Sequence, residues 1–283
     1  MKYAVVDVGS NSLRLILFNH EEDLKKGPIR TLITKLGDGV KKSHVLKKER
    51  MEDSFKVFEE FQGIVQAEGV VEVHAFCTSA VRGAGNGKDF AKEIEDRFGW
   101  KVSIIDGEEE ALLGFLGATL TFKDEPMTLI DIGGGSTEII QGKDTIEHAK
   151  SIEIGALKYT EEPVDLKELF KELPPVFGRL VGIGGTITTS LSMFLGLKDY
   201  EREKIHGEMM TLEDLRALDK KIAPMTEDEI SKLDGIDPKR AGIIRGGLKI
   251  LIHLLEAFGA EEMMVSDYGN LEGYAVRHVL WKK

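Results

Sequence analysis

Cysteine is almost absent from the sequence. Cys77 is the only one in 283 residues, so the chain cannot form an internal disulfide or a zinc site built from cysteines. No run of apolar residues approaches the roughly 18 that a membrane-spanning helix requires, and an acid, Asp7, comes too early for a signal peptide. We therefore expect a cytoplasmic protein with no membrane partner, in which Cys77 is a small buried side chain.

Positive charge is also in short supply. The chain has 38 lysines and arginines against 49 aspartates and glutamates, a formal net charge of -11. This balance opposes non-specific binding to nucleic acid or to an acidic membrane, and we expect neither as a partner. An anionic substrate would need arginines, lysines or a metal ion placed next to it.

The remaining composition is ordinary for a folded protein. Hydrophobic residues make up 42% and charged residues 31% of the chain, so a sizeable core is expected and disorder is not. The length fits one large or two medium domains. We predict two, residues 1–123 and 124–283, because a charged, proline-terminated break at 123–126 separates halves of similar design. The last helix of the second domain is expected to be able to pack back on the first.

The two halves open on the same motif. An apolar run at 3–8 enters Gly9-Ser10-Asn11-Ser12, and another at 127–130 enters Asp131-Ile132-Gly133-Gly134-Gly135-Ser136-Thr137-Glu138. Each is typical of strand, turn of small residues and strand. The rest of the pattern predicts an α/β fold, with strands at 29–36, 71–78, 101–105, 145–154, 179–183 and 262–266, a polar loop at 79–87, and helices at 47–69, 89–98, 106–122, 156–160, 165–173, 212–222 (N-capped by Thr211), 238–258 and 270–281.

Three turns of small residues are candidate phosphate sites, because backbone N–H groups free of side-chain bulk can converge on an anion. Asp7 and Asp131 stand two residues before the first two turns, where each is either a turn-forming residue or an offered carboxylate. The third turn opens a helix, whose N-terminus favours anions. One such turn is usually a plain hairpin; together they favour a shared site made of Gly9, Ser10, Asn11, Ser12, Gly133, Gly134, Gly135, Ser136, Gly184, Gly185 and Thr186.

Four further features of the sequence each allow two interpretations. The acids Glu108, Glu109 and Glu110 in the first turn of a helix complement its dipole whether or not they do chemistry. Arg82, in a glycine-rich segment directly after a strand, is either a phosphate ligand or a surface residue. His206 is more often structural than an acid–base group, and Arg240 either reaches an anion or faces solvent.

The motifs at 7–15, 78–82, 107–111, 131–138 and 182–186 resemble, in that order, the exopolyphosphatase / guanosine pentaphosphate phosphatase family. The resemblance covers essentially the whole chain and includes 206–207, 240–241 and 266–273. That family belongs to the actin, sugar-kinase and chaperone-ATPase superfamily. The resemblance therefore implies two ribonuclease-H-like domains around an interdomain cleft, as in the short, two-domain members, among which a homodimer is common.

The resemblance implies hydrolysis of the terminal phosphoanhydride of inorganic polyphosphate, with guanosine pentaphosphate as the rival substrate. The resemblance implies that Glu110 and Arg82 are catalytic, with Glu110 as the base for the attacking water, and that Arg82 and the three turns hold phosphates. Asp131, Glu138 and, less strongly, Asp7 are the expected ligands of Mg²⁺. A non-catalytic polyphosphate or nucleotide sensor is a further alternative. A kinase would need an acceptor-site motif, which we do not find.

The sequence departs from the family pattern at three positions. Leu271 stands where the family commonly has arginine, Gly85 replaces another common arginine, and Asp106 stands where serine is frequent. Two fewer positive charges predict a weaker grip on long polyphosphate, or a preference for a shorter or different substrate.

Overall fold

We describe residues 1–20, 23–24, 29–122 and 125–280 in a computed structural model. The chain forms two compact units: Met1–Gly117 with Asn270–Lys283, called the first unit, and Ala118–Gly269, called the second unit. Across the described residues, no helix is both long enough and apolar enough to cross a membrane.

The first unit is built on a five-stranded mixed sheet. Its central strand is wholly buried, in keeping with the apolar run that forms it, and its neighbours follow in the order β3-β2-β1-β4-β5. β1, β2 and β3 are antiparallel, whereas β4 and β5 run parallel to β1. The strands are β1 (Tyr3–Val8), β2 (Ser12–Phe18), β3 (Arg30–Ile33), β4 (Glu72–Cys77) and β5 (Lys101–Ile104).

The helices of the first unit include α1 (Val40–Ser43), α2 (Lys48–Ala67), α3 (Ser79–Arg82), α4 (Gly87–Phe98) and α5 (Gly107–Thr119). The three- and four-residue spacing of Phe55, Phe58 and Phe61 places these rings on one face of α2, where they are buried in the core with Phe90. Cys77 is fully buried, as predicted, and this burial together with the charge of Asp7 raises the pKa of its thiol.

The second unit has a six-stranded sheet in the order β10-β11-β9-β6-β7-β8. Its strands are β6 (Met127–Ile132), β7 (Thr137–Gly142), β8 (Ile146–Ile152), β9 (Arg179–Ile183), β10 (Met209–Thr211) and β11 (Glu262–Val265). Its helices are α6 (Ala156–Glu161), α7 (Leu166–Leu169), α8 (Gly185–Leu195), α9 (Leu212–Ile222), α10 (Glu227–Ile230) and α11 (Ala241–Phe258), with 3₁₀ turns at Arg202–Lys204 and Pro238–Arg240.

The two sheets repeat one topology. In both, three antiparallel strands follow one another in the chain, and two later strands add in parallel beside the first of them. β6 therefore corresponds to β1, β7 to β2 and β9 to β4, while β10 is an extra edge strand. This is the duplicated, ribonuclease-H-like α/β plan that the sequence predicts.

The last described segment, α12 (Asn270–Tyr274) followed by a π-helical turn (Ala275–Leu280), belongs to the first unit. Tyr274 stacks on Phe76 with ring centroids 4.7 Å apart, and its hydroxyl lies 3.2 Å from that of Ser103. A side chain at Gly273 would collide with the Leu113 carbonyl, so the close approach of α12 to α5 requires glycine. The predicted helix at 270–281 changes its hydrogen-bond pattern after Tyr274, and residue 281 lies outside the described residues.

Three predicted elements differ from the structure. The segment 79–87 is not a loop throughout, because buried Ala80 and Val81 anchor the short helix α3 directly after β4. The helix predicted at 165–173 stops at Leu169, five residues before the prolines, although Asp165 caps it as a helix start requires. The helix predicted from 238 begins as a 3₁₀ turn. By contrast, Thr211 and Asp214 form the expected reciprocal N-cap of α9.

Candidate active site

The turn between β1 and β2, the first turn, is closed by one hydrogen bond: the Gly9 N–H donates to the Ser12 carbonyl oxygen over 3.1 Å. A Cβ at Gly9 would lie 2.9 Å from that oxygen, so the turn requires glycine. Ser10 and Asn11 are buried at its tip. Neither polar atom of the Asn11 amide has a hydrogen-bond partner within the described chain. A buried amide left unpaired is costly, which favours a ligand that pairs with it.

Two other segments hold the first turn in place. The Gly37 N–H donates to the Ser10 carbonyl over 2.7 Å, and the Thr34 and Lys35 N–H groups donate to the Asn11 carbonyl over 3.1 and 3.0 Å. A Cβ at Gly37 would lie 3.0 Å from that of Ser10 and 3.3 Å from that of Ala80. The first turn and the start of α3 are therefore neighbours, although the sequence places them about seventy residues apart.

Asp7 is opposite Arg14 in the β1–β2 register, and the Arg14 Nε donates to its Oδ2 over 2.9 Å. The carboxylate is buried, with 5% of the residue exposed. Asp7 is thus one half of an ion pair, so a metal ion would have to compete with a guanidinium for it. Its predicted role as a metal ligand stays a prediction.

The three consecutive glutamates of α5 have separate surroundings. Glu108 is exposed. Glu109 accepts hydrogen bonds from the Arg277 Nε at 3.0 Å and the His278 Nε2 at 2.6 Å, so it ties the C-terminal segment to α5. Glu110 is buried and accepts a hydrogen bond from Arg82 Nη1 over 3.0 Å. Asp106 caps the helix by accepting the Glu109 N–H over 2.8 Å.

Arg82 is anchored on one side only. Its Nη1 donates to Glu110 and also to the Ile105 carbonyl over 2.9 Å. Its Nη2 is buried and has no hydrogen-bond partner among the residues that the structure describes. A guanidinium held in this way keeps donors for an anion such as a phosphate oxygen. The structure thus brings together the two residues that the sequence predicts to be catalytic; their roles stay predictions.

The turn between β6 and β7, the second turn, has the same closing bond, from the Gly133 N–H to the Ser136 carbonyl over 3.0 Å. Asp131 lies directly opposite Glu138 across the two strands, with 7% and 1% of each residue exposed. Opposite residues in an antiparallel pair point to the same face, so the two carboxylates are neighbours. The Ser151 hydroxyl donates to Glu138 Oε1 over 2.9 Å.

Helix α6 is hydrogen-bonded to the second turn through its first backbone N–H groups. The Ala156 N–H donates to the Gly133 carbonyl over 2.9 Å, and the Leu157 and Lys158 N–H groups donate to the Gly134 carbonyl over 2.9 and 3.1 Å. Its first donors are therefore used by the protein itself. The sequence predicts α6, but it contains no sign that the helix would dock there.

The third turn, Gly184-Gly185-Thr186, lies against the carboxylate of Asp131 and the guanidinium of Arg240. Gly184 has a φ of 87°, and a Cβ there would be 2.3 Å from Asp131 Oδ1, so the carboxylate occupies the space that a side chain would take. A Cβ at Gly185 would be 2.3 Å from Arg240 Nη1. Arg240 is therefore beside the third turn rather than facing solvent. Thr186, at the start of α8, packs on Gly247.

His206 has a structural setting. Its ring packs on that of Tyr268 at 4.2 Å, its Nε2 lies 3.2 Å from the Thr121 hydroxyl, and its Nδ1 accepts the Asp267 N–H over 3.3 Å. Burial, with a smaller contribution from the Arg202 charge, lowers the pKa of His206 to about 4. The ring is neutral near pH 7.

A metal ion bound in the second unit would have few protein ligands and would take the rest of its ligands from water and phosphate. No cluster of three or more histidine, cysteine, aspartate or glutamate side chains suited to a metal occurs in the described residues. Asp131 and Glu138 nevertheless place two buried carboxylates side by side on paired strands. Mg²⁺ typically takes one or two protein carboxylates and completes its shell with water and phosphate oxygens. The pair suits that ion.

Each of the two α/β units thus carries a glycine turn next to a buried aspartate, and an arginine lies close to a site residue in each. The sequence matches the Ppx/GppA phosphatase family over residues 29–281. The chain belongs to that family.

Named relatives agree with this assignment. The chain is 33% identical to a bifunctional 3-dehydroquinate synthase/phosphatase of Fusobacterium nucleatum, an alignment that covers 95% of this chain but 45% of that protein. It is 27% identical to exopolyphosphatase 2 of Mycobacterium tuberculosis, over 97% of this chain and 98% of the relative. The crystal structure of the Aquifex aeolicus Ppx/GppA family member superimposes with a TM-score of 0.81 at 29% identity, covering 100% of this chain and 99% of the other.

Proposed function

We propose that the protein releases terminal phosphate from inorganic polyphosphate, with Glu110 activating the attacking water. The observation that carries the proposal is the Arg82–Glu110 pair, in which Arg82 Nη1 holds the carboxylate and the buried Nη2 has no hydrogen-bond partner within the described residues. Family membership and the exopolyphosphatase of similar length support the same reaction.

Each group has a defined task in this proposal. The Glu110 carboxylate accepts the proton of a water molecule as the water attacks the terminal phosphorus. Arg82 holds Glu110 in position and donates from Nη2 to an oxygen of the phosphoryl group, where charge accumulates in the transition state. The N–H groups of the glycine turns and the Asn11 amide hold further phosphate oxygens.

Asp131 and Glu138 would hold Mg²⁺, which supplies positive charge to the phosphate oxygens. The deeply buried Glu138, fixed by Ser151, limits where the ion can bind. Arg240, beside Gly185, would add the positive charge of its guanidinium to that of Mg²⁺ in the second unit. Local cations of this kind allow a chain with a net charge of -11 to bind a polyanion.

The decisive experiment is Glu110→Gln, assayed by phosphate release from polyphosphate. We expect the rate to fall about 10²- to 10⁴-fold, since glutamine cannot accept the proton, while substrate binding persists. Glu108→Gln is the matched control, because Glu108 is exposed in the same helical turn; it should keep nearly the full rate. Normal turnover by Glu110→Gln would show that Glu110 is not the base.

Guanosine pentaphosphate is the second candidate substrate. Leu271, where the family commonly has arginine, is fully buried in α12, so this position supplies no cation. Fewer cations favour a substrate with a shorter run of phosphates. Phosphate release from polyphosphate, guanosine pentaphosphate and ATP, measured side by side, ranks these substrates; a protein that binds them and releases phosphate from none is a sensor.

A further inference from the structure

The segment between β3 and α2 concentrates positive charge. Residues 35–48, called here the lysine strip, contain one acid, Asp38, and five lysines: Lys35, Lys41, Lys42, Lys47 and Lys48. The chain as a whole has a net charge of -11. Since like charges repel and are normally dispersed over a surface, a local excess of this kind favours a polyanionic ligand.

The lysine strip borders the first turn. At its start, the Lys35 N–H donates to the Asn11 carbonyl over 3.0 Å and the Gly37 N–H donates to the Ser10 carbonyl over 2.7 Å. Farther along, the His44 carbonyl accepts the Gly85 N–H over 2.8 Å, which ties the strip to the segment that follows α3. Phosphates held at the turn would therefore have the strip beside them.

Lys35 and Lys42 of the strip keep their charge available for a ligand. Asp38 is paired with Lys47 at 3.1 Å and with Arg50 at 3.2 Å, so the only acid of the strip is already neutralised. Neither Lys35 nor exposed Lys42 has an ion-pair partner in the described ranges of the chain. Lys48 lies 3.8 Å from Glu52, and an exposed pair of this kind holds the two side chains together only weakly.

A second, independent observation points to a ligand at this edge. The Thr34 hydroxyl, in a residue 4% exposed, has no hydrogen-bond partner within the described residues, and neither has the amide of the adjoining Asn11. Both groups can donate to phosphate oxygens. Two buried, unpaired donors next to a run of lysines are the arrangement expected where a phosphate chain passes.

Two residues of the lysine strip, Lys35 and His44, have an unusual backbone conformation. Lys35 and His44, with φ of 54° and 52°, are the non-glycine residues in the left-handed region across the described chain. That conformation is unfavourable for a residue with a side chain. Such strain persists where the surrounding contacts fix it, and the Asn11 and Gly85 hydrogen bonds do so here.

We propose that the lysine strip binds the phosphates of a long polyphosphate that extend past the first turn. The inference rests on the proposed function and names its substrate class: a long inorganic polyphosphate rather than a compact nucleotide. The strip would supply the cations that Leu271 and Gly85 leave out, and so offset the weaker grip that those two positions predict.

The test compares two double charge reversals. Lys42→Glu/Lys48→Glu alters the strip, and Lys220→Glu/Lys221→Glu makes the same charge change at exposed positions in α9 of the second unit. Both are made in the Glu110→Gln background, so that binding is measured without turnover. Binding of long-chain polyphosphate and of tripolyphosphate is then titrated at several salt concentrations.

We expect the strip variant to weaken binding of long-chain polyphosphate about tenfold or more and to reduce its salt dependence by the equivalent of one or two ionic contacts. Tripolyphosphate should weaken by no more than about threefold, and the control should change both ligands little. Equal losses for the two ligands, or equal losses in strip and control, would overturn the proposal.

Lys35→Gly provides a second, independent variant. Glycine accepts the left-handed backbone, so this change removes the amine and relieves strain together. We expect unimpaired thermal stability with weaker long-chain binding; unchanged binding counts against the strip. Failure of the hydrolase proposal is distinguishable, because absence of phosphate release by the unmodified protein leaves these binding measurements intact.

Discussion

The two hairpins that carry the first and second turns share one backbone design and differ at one decisive position. In both, an aspartate is the last residue but one of the first strand, and a glycine N–H closes the turn on a serine carbonyl. Opposite Asp7 stands Arg14, whereas opposite Asp131 stands Glu138. The first hairpin therefore pairs its aspartate with a cation, while the second places two acids opposite each other. This difference is the reason that the proposed Mg²⁺ site lies in the second unit.

Glu138→Gln is expected to have the largest effect on the difference between the two hairpins, because it removes one of the two facing acids. We expect phosphate release to fall roughly 10²- to 10³-fold with a higher Mg²⁺ requirement, because a metal contributes several kcal/mol of charge stabilisation. Phosphate release measured across a Mg²⁺ titration checks this. Glu147→Gln, at an exposed position of β8, is the control. An unchanged Mg²⁺ requirement would place the ion elsewhere.

Arg14→Ala should unfold the first unit more easily. It leaves Asp7 buried without its partner, which we expect to cost about 2–3 kcal/mol, less than the roughly 3–5 kcal/mol of a fully buried pair because 23% of the Arg14 side chain is exposed. Urea denaturation gives the free energy of unfolding. Arg30→Ala removes an exposed partner of Glu60 and should cost at most about 1 kcal/mol. Equal costs would show that Asp7 does not depend on Arg14.

Asn11→Ala should separate binding from stability. The amide has no protein partner within the described residues, so its removal should leave the melting temperature unchanged or raise it. Substrate binding should weaken about tenfold, since a hydrogen bond to a charged group is worth about 1.5–3 kcal/mol. The equivalent position of the second turn is Gly135, which has no side chain to remove. A large loss of stability in Asn11→Ala would mean that the amide serves the fold.

Acid should affect the second unit through His206. Its pKa is about 4 in the folded chain and near 6.5 when unfolded, so the unfolded state binds the proton first and stability falls as the pH drops from about 6.5 toward 4. The ring is only partly buried, and solvent screening limits the expected loss to about 1–2 kcal/mol. Hydrogen exchange in β9 and β11, compared with β1 and β4, measures it. His206→Gln should flatten the pH dependence; an unaltered profile would assign it to other groups.

Local patterns in the sequence were enough for much of the fold. Alternating apolar residues around glycine turns predicted both hairpins, and the capping spacing of Thr211 and Asp214 predicted the start of α9. These features depend on residues only a few positions apart. The segment 79–87 was misjudged because burial of Ala80 and Val81, rather than local propensity, makes α3 helical.

The site was less accessible to sequence reasoning where it depends on distant partners. Nothing in the Glu108–Glu110 run separates its members until Arg82, Arg277 and His278 reach it from elsewhere in the chain. The Asp7–Arg14 pair follows from strand register, which the turn length sets. Arg240 meets Gly185 only through packing of the segment before α11. Sequence order does not contain these contacts.

The return of Asn270 and the residues after it to the first unit has a consequence for synthesis. The chain leaves the first unit at Gly117 and comes back at Asn270, so the second unit is an insertion within the first. A growing chain therefore has every residue of the second unit before it has the Tyr274 ring that stacks on Phe76. Since domains generally fold as they are made, the inserted unit can fold while its host still waits for α12. The order of folding is then the reverse of the order in which the two units begin.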